Sequence, residues 1–137
     1  MQNVFALLFL YSAFHFFTAD IDLHITEYDE LGNAYQSPDG KHTAQVVYDY
    51  YGGAAGGVNL YVQLIDHKND TKRYIYRADA KMQPNIQWQD DTTLIIKNYD
   101  QYADNSTILD IETEIYDETG RACNTYATKA YTCITDK

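Results

Sequence analysis

The sequence is poor in cysteine, proline and tryptophan, with two, two and one of each in 137 residues. Two cysteines are too few for a disulfide-dense scaffold. Neither sits in a C-x-x-C pair, which removes zinc-ribbon and thioredoxin-like readings. Basic residues are scarce as well: 10 Lys and Arg stand against 20 Asp and Glu, a formal net charge of −10. Nucleic acid calls for a basic footprint, and an anionic membrane surface attracts one, so neither is an expected partner. Catalytic signatures are also missing. His15, His24, His42 and His67 have no metal-ligand spacing. No G-x-S-x-G nucleophile elbow occurs. Gly40-Lys41-His42-Thr43 lacks the upstream glycine of a phosphate-binding loop and leads into a strand pattern. No cofactor is expected.

What the chain has in quantity is tyrosine, 14 residues against 5 Phe. Tyrosine suits pleated, half-buried surfaces, and its amphipathic ring is enriched at protein interfaces. The other conspicuous feature is an apolar run from Val4 to Phe17, VFALLFLYSAFHFF. As a helix it is roughly 20 Å long at 1.5 Å per residue, short for a bilayer core of about 30 Å and closer to the apolar region of a signal peptide. Residues 1–19 are therefore expected to form a hydrophobic helix serving as a signal peptide or membrane anchor. Residues 20–137 are expected to form a single β-rich domain outside the cytoplasm, secreted or tethered to the cell membrane through that segment alone. A signal peptide ordinarily opens with Lys or Arg, and Met1-Gln2-Asn3 has neither.

Cys123 and Cys133 are the two cysteines. An exported domain would hold them as a disulfide, with the two strands of a hairpin bringing them together. The alternative is a pair of buried free thiols.

Along the chain, period-two alternation between turn residues predicts strands at His42–Tyr50, Val58–Ile65, Lys72–Arg77, Ile86–Trp88 and Thr92–Lys97. The first three read as an antiparallel meander. Leu31-Gly32-Asn33 reads as a turn, and a short strand is expected over Ile21–Ile25. Ser106–Asp117 alternates strictly and is read as extended chain, although Ile108, Ile111 and Ile115 also fit one helical face. The expected fold is mainly β: a small antiparallel sheet or sandwich-like domain behind an N-terminal hydrophobic helix.

Between the first two meander strands lies YGGAAGG, residues 51–57. Its glycines supply positive φ angles for a hairpin connection and let another backbone approach. With the tyrosines around it, this loop is the candidate binding region: Tyr48, Tyr50, Tyr51, Gly52, Gly53 and Tyr61. The expected role is a non-enzymatic interaction module whose partner is another envelope or extracellular protein. Two alternatives remain open. One is an envelope enzyme or enzyme inhibitor using acidic residues such as Asp100 and Asp104. The other is a small-ligand or cation-binding domain, for which Asn98, Asp100, Asp104 and Asn105 offer oxygens without the spacing of an EF-hand.

Several of these pieces occur in a characteristic order: Ser37-Pro38-Asp39-Gly40-Lys41, Gly52-Gly53, Ile86-Gln87-Trp88-Gln89-Asp90-Asp91, Leu94-Ile95-Ile96, Leu109-Asp110-Ile111 and Tyr116-Asp117. In that order, across roughly residues 34–118, the chain resembles domain of unknown function 5412. That family consists of small exported or membrane-attached bacterial proteins. The resemblance implies an extracytoplasmic location and no known chemistry. The chain departs from the family pattern in lacking a lipid-anchor cysteine, and its two-cysteine tail reads as a local addition.

Overall fold

The computed structural model describes residues 30–52, 56–81, 84–120, 123 and 131–134. The N-terminal hydrophobic segment and the Ile21–Ile25 strand expectation lie outside them. Among the described residues, no helix is long and apolar enough to cross a membrane.

Among the described residues, nine strands follow one another: β1 (Glu30–Gln36), β2 (His42–Tyr51), β3 (Gly57–Asp66), β4 (Thr71–Asp79), β5 (Asn85–Trp88), β6 (Thr93–Lys97), β7 (Thr107–Asp110), β8 (Glu114–Asp117) and β9 (Thr132–Ile134). They form a six-stranded sheet of order β1-β2-β3-β4-β8-β9 and a three-stranded sheet of order β5-β6-β7. The mainly β reading holds, and β1 to β4 are the expected meander of antiparallel pairs. The small sheet is antiparallel throughout. The large sheet is mixed, because β4 pairs with β8, and β8 with β9, in parallel. Parallel neighbours need a crossover, and here the whole of β5, β6 and β7 lies inside it.

The connections follow from their side chains. In the Ser37–Lys41 turn, the Ser37 hydroxyl donates to Asp39 Oδ1 at 2.7 Å and accepts the His42 N–H at 3.1 Å. Asp39 Oδ1 also accepts the Lys41 N–H, and Gly40 supplies a φ of 72°. Asp66 Oδ1 accepts the N–H groups of Lys68 and Asn69 in the β3–β4 turn. These are Asx turns, in which a short carboxylate stands in for a backbone carbonyl.

Two sequence expectations are corrected. Leu31-Gly32-Asn33 is not a turn but part of β1, where the register with β2 shifts between Leu31 and Ala34. The glycine is there for close approach: a Cβ on Gly32 would stand 2.9 Å from both Val46 Cγ1 and Tyr48 Cε2. Ser106–Asp117 is not one extended segment. It is β7 and β8, separated by a turn at Ile111–Thr113, and the Glu114 carboxylate accepts the Asp110 N–H at 2.8 Å.

One hydrophobic core lies between the sheets. The large sheet contributes Ala44, Val46, Leu60, Val62, Leu64, Ile75, Tyr76, Ala78, Ile115 and Tyr116, and the small sheet Ile86, Leu94, Ile96 and Leu109. A β-bulge makes room for two consecutive residues of β4. Val62 pairs with Tyr76 and Gln63 with Tyr74, so Ile75 is the extra residue and both Ile75 and Tyr76 enter the core. On the opposite face, Val47, Tyr61 and Tyr74 form a smaller cluster.

Candidate functional site

The end of the large sheet that carries the glycine loop brings together the C-terminal end of β2, the start of β3, the Asp79–Lys81 segment after β4, and Glu118 after β8. Strand alternation decides which tyrosines are available there. Tyr48 and Tyr61 point to opposite faces, and both are taken up by packing. Tyr48 is half-buried against the core. Tyr61 is 2% exposed, sits edge-on to Tyr74 with ring centroids 5.9 Å apart, and lies under the Arg77 guanidinium. Tyr50 and Tyr51, at the strand's end, remain 57% and 46% exposed. Gly52 has a φ of 79°, and a Cβ there would stand 2.7 Å from Gly56 Cα. Gly53 lies outside the described residues.

Both exposed tyrosines are anchored by carboxylates. Tyr50 donates its hydroxyl proton to Glu30 Oε2 at 2.9 Å. Tyr51 donates to Asp79 Oδ1 at 3.2 Å, reaching from β2 past β3 to β4. That reach passes over Gly57, where a Cβ would meet the Tyr51 hydroxyl at 2.6 Å. Neighbouring carboxylates hold both phenols above the ordinary tyrosine range. For Tyr50 the main cause is the hydrogen bond to Glu30, and for Tyr51 the negative charge of Asp79.

Asp79 is the hub of this end. Its Oδ2 takes the Lys81 ammonium at 2.9 Å, and its own N–H donates to Glu118 Oε2 at 2.6 Å. The hydrogen bond to Asp79 raises the Lys81 ammonium above its usual range, with added attraction from Asp100 and Glu118. The row continues across the sheet: Asn59, opposite Asp79, donates to Asp49. Among the described residues, carboxylates therefore outnumber cations at this end.

Lys81 also leads into the β6–β7 connection, since its N–H donates to Asn98 Oδ1 at 2.7 Å. Asn98 and Asn105, whose side chains the sequence offers as oxygens for a cation, are buried, Asn98 fully and Asn105 nearly so. Asn98 Nδ2 donates to the Tyr76 hydroxyl and to the Asp79 carbonyl, each at 2.9 Å. The Tyr76 hydroxyl in turn donates to the Asn105 carbonyl at 2.6 Å. Tyr76 stacks on Tyr116 with centroids 5.0 Å apart. This buried network ties the two sheets together directly beneath the acidic end.

The carboxylates of the same connection are engaged in its turns. Asp100 Oδ1 accepts the N–H groups of Tyr102 and Ala103, which holds its pKa below the ordinary carboxylate value. Asp104 Oδ1 accepts the Ser106 N–H. Tyr99 and Tyr102 stand exposed on either side of Asp100. Among the described residues, no group of three His, Cys, Asp or Glu side chains is placed to hold a metal ion.

At the far edge of the large sheet, Cys123 and Cys133 are joined as a disulfide with Cα atoms 5.4 Å apart. Cys133 lies in β9, while Cys123 lies outside the named strands.

Residues 2–122 match the model of a family of unknown function, DUF5412. Neither a curated protein nor a solved structure matches the chain. β9 and Cys133 lie beyond the matched residues.

Proposed function

The chain belongs to the DUF5412 family, and from that membership, which carries no activity with it, we propose that the protein is a non-enzymatic interaction module. It works outside the cytoplasm and binds another envelope or extracellular protein through the glycine-loop end. The observation that carries this reading is the pair Tyr50 and Tyr51, exposed at the tip of β2 with both hydroxyls already anchored to Glu30 and Asp79. Anchored aromatic side chains lose little conformational freedom on binding, which favours affinity. The surplus of carboxylates around them suits a partner surface bearing Lys or Arg, since charge complementarity raises the association rate. The disulfide suits an oxidising compartment. The use of the Asp100 and Asp104 carboxylates as turn caps makes the acidic-catalyst alternative the weaker reading.

Cross-linking on intact cells tests it, comparing the full chain with a Tyr50→Ala/Tyr51→Ala double variant and with Ile108→Ala, an exposed apolar change on β7 of the small sheet. The expected result is one defined cross-linked partner, lost in the double variant and kept in Ile108→Ala. A partner retained equally by all three places the binding surface elsewhere. Saturable turnover abolished by Asp100→Asn would replace this reading with the enzymatic one.

A further inference from the structure

The outer edge of β8 is covered by a single strand of three residues, β9. Its register is parallel, with Glu114 opposite Thr132, Ile115 opposite Cys133 and Tyr116 opposite Ile134. The Thr132 N–H donates to the Thr113 carbonyl at 2.7 Å. Tyr131, Cys133 and Ile134 pack against the core, and the Arg73 guanidinium lies 4.5 Å from the centre of the Tyr131 ring. Arg73 also donates to the Ile111 carbonyl. So short a parallel strand has few ladder bonds of its own, and the Cys123–Cys133 disulfide tethers it to a point ten positions earlier in the chain.

We infer that the β8 edge is a strand-accepting surface, filled in cis by β9 while the disulfide is closed and, once it is opened, filled in trans by β9 of a second copy of this chain. Three observations meet here. The strand at this edge, with both cysteines of its tether, lies beyond the residues that match the family. Its contacts to Glu114, Ile115, Tyr116 and Arg73 are repeated without change when the same strand arrives from another copy, which is the condition for low-cost strand exchange. The element that opposes exchange is the tether, which keeps the local concentration of the chain's own β9 high.

Opening the tether is a thiol–disulfide exchange with a small dithiol. One dithiol sulfur attacks a cysteine sulfur and displaces the other as a thiolate. The second dithiol sulfur then breaks the mixed disulfide. Two electrons and two protons pass to Cys123 and Cys133, and the reductant leaves as its cyclic disulfide.

The test is the molar mass of the full chain by light scattering over a concentration series, oxidised and then reduced with excess dithiol. The expected result is a dimer whose dissociation constant is at least tenfold lower in the reduced chain. A Cys123→Ser/Cys133→Ser variant should behave as the reduced chain without any reductant. Thr132→Pro removes the N–H that pairs with Thr113, and it should abolish the reduced dimer. Equal dimerisation of the oxidised chain, a reduced chain that stays monomeric, or a dimer that survives Thr132→Pro each overturns the inference. Loss of the far-UV strand signal on reduction also overturns it, since the disulfide would then hold the whole domain and not one edge.

Discussion

Tyr51 reaches Asp79 only because residue 57 between them has no side chain. The phenol crosses β3 at Gly57 and places its hydroxyl 3.2 Å from Asp79 Oδ1. Gly57→Ala should therefore displace the ring and break this contact. Because the obstructed atoms are the tip of an exposed side chain, the loss should be about 1 kcal/mol, the net worth of one hydrogen bond. Tyr51→Phe should cost a similar amount. The two changes together should cost little more than either alone, measured as a double-mutant cycle by urea denaturation. Full additivity would show that Gly57 serves something other than Tyr51.

The buried network predicts larger effects. Asn98→Ala leaves the Lys81 N–H without its partner and takes one hydrogen bond each from the Tyr76 hydroxyl and the Asp79 carbonyl, which keep Asn105 as a partner. An unsatisfied buried group costs about 1–3 kcal/mol and each further hydrogen bond about 1 kcal/mol, so a loss of about 3 kcal/mol is expected. Tyr76→Phe removes only the hydroxyl and should cost about half as much. Equilibrium unfolding in denaturant checks both, and a loss below 1 kcal/mol for Asn98→Ala would contradict the network.

How far the fold could be read in advance divides along the same lines. Alternation revealed β2, β3, β4, β5 and β6, because each buries one face and hydrophobic period reports that directly. β1 was hidden by Gly32, which looks like turn chemistry and is a close approach to Val46 and Tyr48. β7 and β8 merged because the turn between them, Ile111–Thr113, keeps the alternation going. The parallel pairing of β4 with β8 depends on contacts distant in sequence, which local pattern does not carry. At the candidate site, Tyr50 and Tyr51 were legible as part of a tyrosine-rich loop. Asp79, Glu118 and Lys81 were not, since nothing in a charged residue's neighbours distinguishes a hub from a solvated face. Asn98 and Asn105 read as oxygens for a cation and not as buried groups for a related reason: they sit in the most polar stretch of the chain and are buried by tertiary packing alone. Their one signal was position, each lying close beside a predicted strand.

Gly32→Ala tests the bulge in β1. The added methyl meets Val46 and Tyr48 side chains held by the core at 2.9 Å. Overpacking of this kind typically costs about 1–3 kcal/mol. Thermal unfolding should show the loss, and Tyr48→Ala in the same background should recover part of it by making space.

Stability should also fall at high pH. Burial raises the Tyr76 phenol well above the ordinary value of 10.0. Its neutral form is therefore favoured in the folded chain. The resulting stabilisation is fully present below pH 10, where the unfolded phenol keeps its proton too, and is lost as pH rises past that value toward the folded one. Tyr48, Tyr50 and Tyr51 are shifted in the same direction and add to the slope. Denaturation midpoints measured from pH 8 upward should drop beyond pH 10, and Tyr76→Phe should flatten part of the drop. An identical slope in that variant would mean the alkaline limb has another origin.

The crossover between β4 and β8 has a consequence for the order in which the chain folds. During synthesis the first four strands emerge together and can pair through local hairpins. β4 then waits with its outer edge unpaired, carrying Tyr74, Ile75 and Tyr76, until β5, β6 and β7 have been made and β8 arrives. Non-local closure of this kind is slow, and an open apolar strand edge is where nascent chains associate wrongly. The kinetic hazard of this fold is thus concentrated at one edge during one interval of its biogenesis.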